Sequence, residues 1–150
     1  MQQDARISNA ELARQLDLAP SGVLERVRKL EARGVIRGYE ARIAPAAVGK
    51  ELLAFVFVQV EELPGETKTA EQLALIPEVL EVHHVAGEDC FLVKVRTAGT
   101  ESLGRLLSQR FGSISTVRST RTTIVLSTAK ETMSLPITDP AASSAAGKSS

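Results

Sequence analysis

The stretch Ile7 to Gly34, ISNAELARQLDLAPSGVLERVRKLEARG, decides how this chain is read. Ser8 and Glu11 stand three apart ahead of an apolar run. This is the spacing of a capping box, with Ile7 and Leu12 at the positions of a hydrophobic staple. Leu12, Ala13 and Leu16 then fall on one helical face. Asp17-Leu18-Ala19 makes a short turn, in which Asp tolerates left-handed backbone. Pro20 suits the first position of a second helix, where no amide donor is missed. Val23, Val27 and Leu30 recur inward at helical spacing, with Leu24 beside them. Gly34 is placed to end the helix, with Val35 able to fold back onto Leu30. Two short helices about a tight turn predict a helix-turn-helix, a device that lays its second helix in the major groove of DNA.

The exposed side of that second helix carries Ser21, Gly22, Glu25, Arg26, Arg28 and Lys29. Cations on a helix are most often a solvated face; here the small residues at the helix start allow close approach to phosphate. Residues 1–42 hold 8 Lys+Arg against 6 Asp+Glu, so placement rather than bulk charge would provide any grip.

Outward from this unit, the next decisive run is Leu52 to Val60, LLAFVFVQV. Ala54, Val56, Val58 and Val60 alternate with Leu53, Phe55 and Phe57, so both faces are apolar and both need cover. A helix is expected over Thr67–Ile76, ahead of Pro77. Strands are expected at Val79–Ala86 and Phe91–Arg96, a second helix at Thr100–Phe111 ending at Gly112, and a last strand at Val117–Leu126. Val35–Ile43 is β-like and reads as a wing or connecting strand. The order β-α-β-β-α-β predicts a ferredoxin-like sheet with both helices on one face. Its open face would then pair with a second copy. The fold class is therefore α+β. The expected division is 1–42 for the helix-turn-helix, 43–51 for a linker, 52–134 for the sheet domain and 135–150 for an Ala/Ser/Gly-rich disordered tail.

The totals agree with an ordinary globular chain: 150 residues, 18 Lys+Arg against 18 Asp+Glu, and 43% hydrophobic residues. Aromatic residues make up 3% and Trp is absent, which disfavours single-strand binders that stack bases. No apolar run is long enough to span a bilayer and no signal peptide opens the chain, so no membrane association and a cytoplasmic location are expected. The single cysteine, Cys90, cannot form an internal disulfide. His83 and His84 are adjacent on a strand, point to opposite faces and cannot chelate one ion together. Acidic neighbours, and the lack of a positioned base, disfavour Cys90 as a nucleophile. No zinc spacing, phosphate-binding glycine loop or catalytic triad appears, so neither an enzyme nor a cofactor is expected.

Arg26, Val27, Leu30, Glu31, Gly34, Val35, Ile36, Gly38 and Tyr39 spell R-V-x-x-L-E-x-x-G-V-I-x-G-Y. In that pattern the first segment resembles the DNA-binding module of the Lrp/AsnC (feast/famine) regulators. Residues 52–133 resemble the family's regulatory domain, most closely over Pro77–Val95 and Ser119–Leu126. The resemblance implies a sequence-specific transcriptional regulator that binds double-stranded DNA as a homodimer or a higher oligomer such as an octamer. On this reading Ser21, Gly22 and Glu25 lie near base edges, while Arg26, Arg28 and Lys29 touch phosphate. It also implies a small effector, commonly an amino acid, at a subunit boundary near a G-x-x-D turn and the start of the last strand. Gly87 matches the glycine; Cys90 stands where the family has Asp, and Asp89 lies one place earlier. Glu88 or Asp89 could meet the effector's ammonium, and Thr120, Thr122 or Arg121 its carboxylate.

Two differences from the family are visible. Ala19 replaces the usual Ser before Pro20, which weakens the helix cap by about 1 kcal/mol. The family also begins with a helix of pattern L-D-x-x-D-x-x-I-L, absent after Met1-Gln2-Gln3-Asp4, so a truncated winged helix-turn-helix is expected. The alternative function is an effector-sensing, oligomerising protein that no longer binds DNA.

Overall fold

The computed structural model describes residues 1–2, 4–61, 63, 66–87 and 90–137. The chain separates into two compact units. One comprises Met1–Arg42 with the chain from Lys130 onward, the other Ile43–Ala129.

In the first unit, α1 (Asn9–Leu16) and α2 (Pro20–Ala32) are joined by a turn. Ser8 Oγ accepts from the Glu11 amide at 3.1 Å. The reciprocal half of the capping box does not form. Glu11 instead takes the Arg14 guanidinium at 3.0 and 2.6 Å and the Gln15 amide at 2.9 Å, because charge-assisted bonds outcompete a neutral backbone donor. Those donors hold the Glu11 carboxyl below its ordinary range, Arg14 contributing most. Asp17 adopts left-handed backbone, φ 52° and ψ 48°, as the turn requires.

Leu12, Ala13, Val23 and Val27 form the core of this unit, with Met1, Ile7, Leu18 and Ile36 packed against it. Two expectations fail here. Leu16 lies outside this cluster and is exposed, and Ile36 rather than the exposed Val35 packs against the helices. Gly34 takes φ 67° beyond α2, and the amides of Val35 and Ile36 both donate to the Leu30 carbonyl, at 2.9 and 3.1 Å. That turn directs Ile36, one residue further on, inward. Residues 37–44 form no strand, correcting the expected wing strand at Val35–Ile43. Tyr39 leaves this segment to donate to Glu31 at 2.9 Å, which raises the phenol pKa above its ordinary value.

Ala19 precedes α2 in extended conformation and supplies no side-chain cap. Ala19→Ser is therefore expected to stabilise this unit by about 1 kcal/mol, measured as a higher urea midpoint at unchanged m-value.

Residues 130–134 group by their contacts with this unit. The reason is a two-point clamp. The Gln2 side chain accepts from the Leu135 amide at 2.7 Å and donates to the Leu135 carbonyl at 3.1 Å. Of the expected tail, residues 138–150 lie outside the described residues.

The second unit is a four-stranded antiparallel sheet in the order β2-β3-β1-β4, built from β1 (Leu52–Val60), β2 (Val79–His84), β3 (Phe91–Thr97) and β4 (Val117–Ile124). Helices α3 (Lys68–Ala74) and α4 (Thr100–Arg105) complete the β-α-β-β-α-β order. The expected linker contains a 3-10 turn, Pro45–Val48, and groups with this unit. Ala54, Val56 and Val58 of β1 meet Val93 and Val95 of β3, Leu73 of α3, Leu103 of α4 and the fully buried Phe111 in one core. The last helix does not run regularly to Phe111 as expected. Residues Leu106–Phe111 form a π-helical turn, closed by the Gly112 amide on the Leu107 carbonyl at 2.9 Å. A Cβ at Gly112 would meet the Ser108 carbonyl oxygen at 2.6 Å, so glycine is required to end the turn there.

Candidate functional site

The first candidate is the outer face of α2. Successive residues turn by about 100° in an α-helix. Val23, Val27 and Leu30 therefore share the inner arc, which matches their burial. Ser21, Gly22, Glu25 and Lys29 occupy the middle of the opposite arc, with Arg26 and Arg28 on its two rims. All are exposed except the half-buried Gly22. Lys29 Nζ sits 2.7 Å from Glu25 Oε1, both side chains well exposed. Such a surface pair contributes well under 1 kcal/mol and yields readily to a competing anion. Arg28 also borders a cavity of about 260 Å³, lined by Met1, Ile7, Leu24, Glu31 and Tyr39 among others. The face thus combines small and polar residues at its centre with guanidinium groups at its edges.

The second candidate lies at one end of the sheet. The Cys90 amide donates to the Val58 carbonyl at 3.0 Å, and Thr120 pairs with Val58 from the opposite side of β1. Cys90 and Thr120 therefore flank the same residue. Cys90 is half-buried and packs against the core, its thiol 3.9 Å from the Val60 carbonyl. Gly87 opens the turn at φ 138°, a conformation that favours glycine. Glu88 and Asp89 lie outside the described residues. Thr122 pairs with Val56 on the same face as Thr120, but Arg121 points the other way. Its guanidinium carbon lies 4.1 Å from the ring centroid of Phe57, its cross-strand partner, in a cation–π contact. Thr120 thus lies across β1 from Cys90, with Thr122 two residues further along the same face, while Arg121 belongs to the open face.

That open face also carries Phe55 and Leu92, both half-buried, and a chain of charges that sequence reasoning missed. Glu81 sits opposite Lys94, with Oε1 3.1 Å from its Nζ, and Oε2 lies 3.0 Å from His83 Nε2. Alternation alone places Glu81 and His83 on one face; only the register brings Lys94 beside them. The His83 hydrogen bond first, then Lys94, holds the Glu81 carboxyl below its ordinary value of 4.5. A depressed carboxylate pKa stabilises the fold above the unfolded value, and this contribution disappears as pH falls through the folded value. Glu81→Gln should therefore cost stability at pH 7 and lose that cost as pH falls through the folded value. The 35% exposure of the side chain limits the cost to below about 1 kcal/mol, readable by urea unfolding across a descending pH series.

Among the described residues no group of three His, Cys, Asp or Glu could hold a metal ion, and no helix is long and apolar enough to cross a membrane. An N-terminal two-helix unit with a cation-rimmed outer face, followed by a βαββαβ sheet, defines a two-part DNA-binding regulator. Similarity to known proteins agrees. Residues 1–37 match a winged helix-turn-helix DNA-binding domain and residues 53–135 the Lrp/AsnC ligand binding domain. The chain belongs to the Lrp/AsnC family of transcriptional regulators. It is 41% identical over 138 residues to the HTH-type transcriptional regulator FL11 of Pyrococcus horikoshii, covering 91% of this chain and 89% of the relative. It is 42% identical over 125 residues to the HTH-type transcriptional regulator LrpA of Mycobacterium tuberculosis, covering 83% and 82%. A feast or famine regulatory protein of M. tuberculosis, solved with L-methionine, superposes with a TM-score of 0.81 at 38% identity, covering 89% of each chain.

Proposed function

We propose that the outer face of α2 reads operator DNA. Ser21, Gly22 and Glu25 approach base edges while Arg26, Arg28 and Lys29 contact phosphate. The observation that carries this reading is the single outer arc on which all six residues lie, five of them exposed and Gly22 half-buried, backed by a packed two-helix core. The regulator works in the cytoplasm, without catalysis, as a homodimer or a higher homo-oligomer. Dimerisation joins the open sheet faces, where Phe55, Phe57 and Leu92 await cover. An amino acid such as L-methionine, the ligand of the related M. tuberculosis protein, binds at a subunit boundary. Gly87, Glu88, Asp89, Cys90, Thr120 and Thr122 form its site, and Arg121 contributes across the sheet edge. The effector changes DNA affinity to the extent that it binds two assembly states unequally.

Light scattering on the full chain tests the assembly. The expected result is a dimer or a multiple of it. Phe57→Glu places a carboxylate in the joined apolar faces and should give monomer with unchanged circular dichroism. A variant that stays oligomeric would rule out this interface.

A further inference from the structure

The helix side of the sheet unit holds a cavity remote in sequence from the effector turn. It measures about 400 Å³ and lies between the end of α3 and the π-helical turn. It is a groove more open than enclosed, with a volume toward the lower end of the roughly 300–1,000 Å³ of small-molecule sites. Ile76 and Ile114, at 4% and 7% exposure, form an apolar base, with the exposed Leu75 beside them. Gln72, Gln109, Arg110 and Ser113 supply the polar wall. Arg110 brings the only charge to that wall, and among the described residues it carries no ion pair.

Backbone and side-chain bonds fix the surrounding chain. Ser113 Oγ donates to the Arg110 carbonyl at 2.8 Å, the Ile114 amide to Phe111 at 3.1 Å, and the Ile76 amide to Leu73 at 3.1 Å. The π turn itself is a device that recurs at functional sites, because its extra residue breaks regular helical spacing. Here Gln109 and Arg110 of that turn both line the cavity.

We propose that this cavity is a second ligand site, taking a small branched aliphatic monocarboxylate. Arg110 pairs with the carboxylate in the forked geometry that guanidinium favours, and the isoleucine base takes the alkyl body. The Gln72 and Gln109 amides hydrogen-bond the remaining carboxylate lone pairs. This site is independent of the effector site proposed above and shares none of its residues.

The probe is 4-methylpentanoate, titrated calorimetrically into the full chain to ~10 mM, a range suited to millimolar affinity. Binding is expected, with 4-methylpentan-1-ol, which lacks the carboxylate, binding about tenfold more weakly or worse. Arg110→Gln, an exposed position that should not disturb folding, should weaken the carboxylate by about tenfold, and Arg110→Lys should recover part of the loss. Ile114→Ala should weaken acid and alcohol alike. Thr120→Ala/Thr122→Ala should leave this binding intact whether or not it abolishes L-methionine binding. The two sites therefore succeed or fail separately. No heat of binding, or binding indifferent to Arg110, would overturn the proposal. So would occlusion of the cavity by a second copy, seen as probe binding only after dilution to monomer.

Discussion

Replacing Arg26 and Lys29 together by alanine should lower affinity for operator DNA about 10- to 100-fold at ~0.15 M salt. It should also flatten the salt dependence, by close to one unit of slope for each phosphate no longer neutralised. Arg26 stands on the rim of the exposed α2 arc without an ion pair among the described residues, and Lys29 is engaged only by the exposed Glu25. Neither side chain supports the Val23–Val27 core, so the variant should fold as the wild type does. Fluorescence anisotropy across a salt series checks both numbers. If slope and affinity are unchanged, α2 does not meet the phosphates.

The second large effect is on the sheet unit. Phe111 is fully buried where the π turn meets the sheet, among Val56, Val93, Leu103 and Ile114. Phe111→Ala removes the largest fully buried side chain and leaves a cavity that the π turn and Gly112 are poorly placed to close. A destabilisation of about 3–5 kcal/mol is expected. Against a total stability of about 5–15 kcal/mol, that is enough to unfold much of the population at physiological temperature. Thermal unfolding by circular dichroism should show it, and oligomerisation should fail with it. A change below about 1 kcal/mol would mean that the core repacks around the gap.

Much of this fold is legible in residue periodicity. Leu52–Val60 alternates strictly enough to define both faces of β1, and the bounds of that strand match the expectation. Val23 and Val27 at helical spacing likewise identify the inner side of α2. The misses have a common cause in competition between near-equal local states. Glu11 faces Ser8 at capping-box spacing, yet Arg14 and Gln15 take its carboxylate. Leu106 and Leu107 continue a helical stripe, but the backbone slips into a π turn that seats Phe111. Val35–Ile43 has β-favouring residues with no neighbouring strand to satisfy its ladder bonds, and it remains unpaired. At the proposed effector end, strand alternation separates Arg121 from Thr120 and Thr122, a distinction available from the sequence. The Glu81–Lys94 pairing was not available, because it depends on a register shift between Val79 and Glu81.

The proposed DNA recognition has α2 lying in a major groove. Selection from a random duplex pool should yield two half-sites spaced by about one helical turn, ~10 base pairs, as a two-fold dimer demands. Methylation interference on the selected duplex is then the most direct measurement. Modifying guanine N7, which lies in the major groove, should abolish binding within each half-site, while adenine N3 methylation in the minor groove should leave binding intact there. Binding indifferent to N7 methylation, with the minor-groove marks blocking it instead, would contradict the placement of α2 in the major groove.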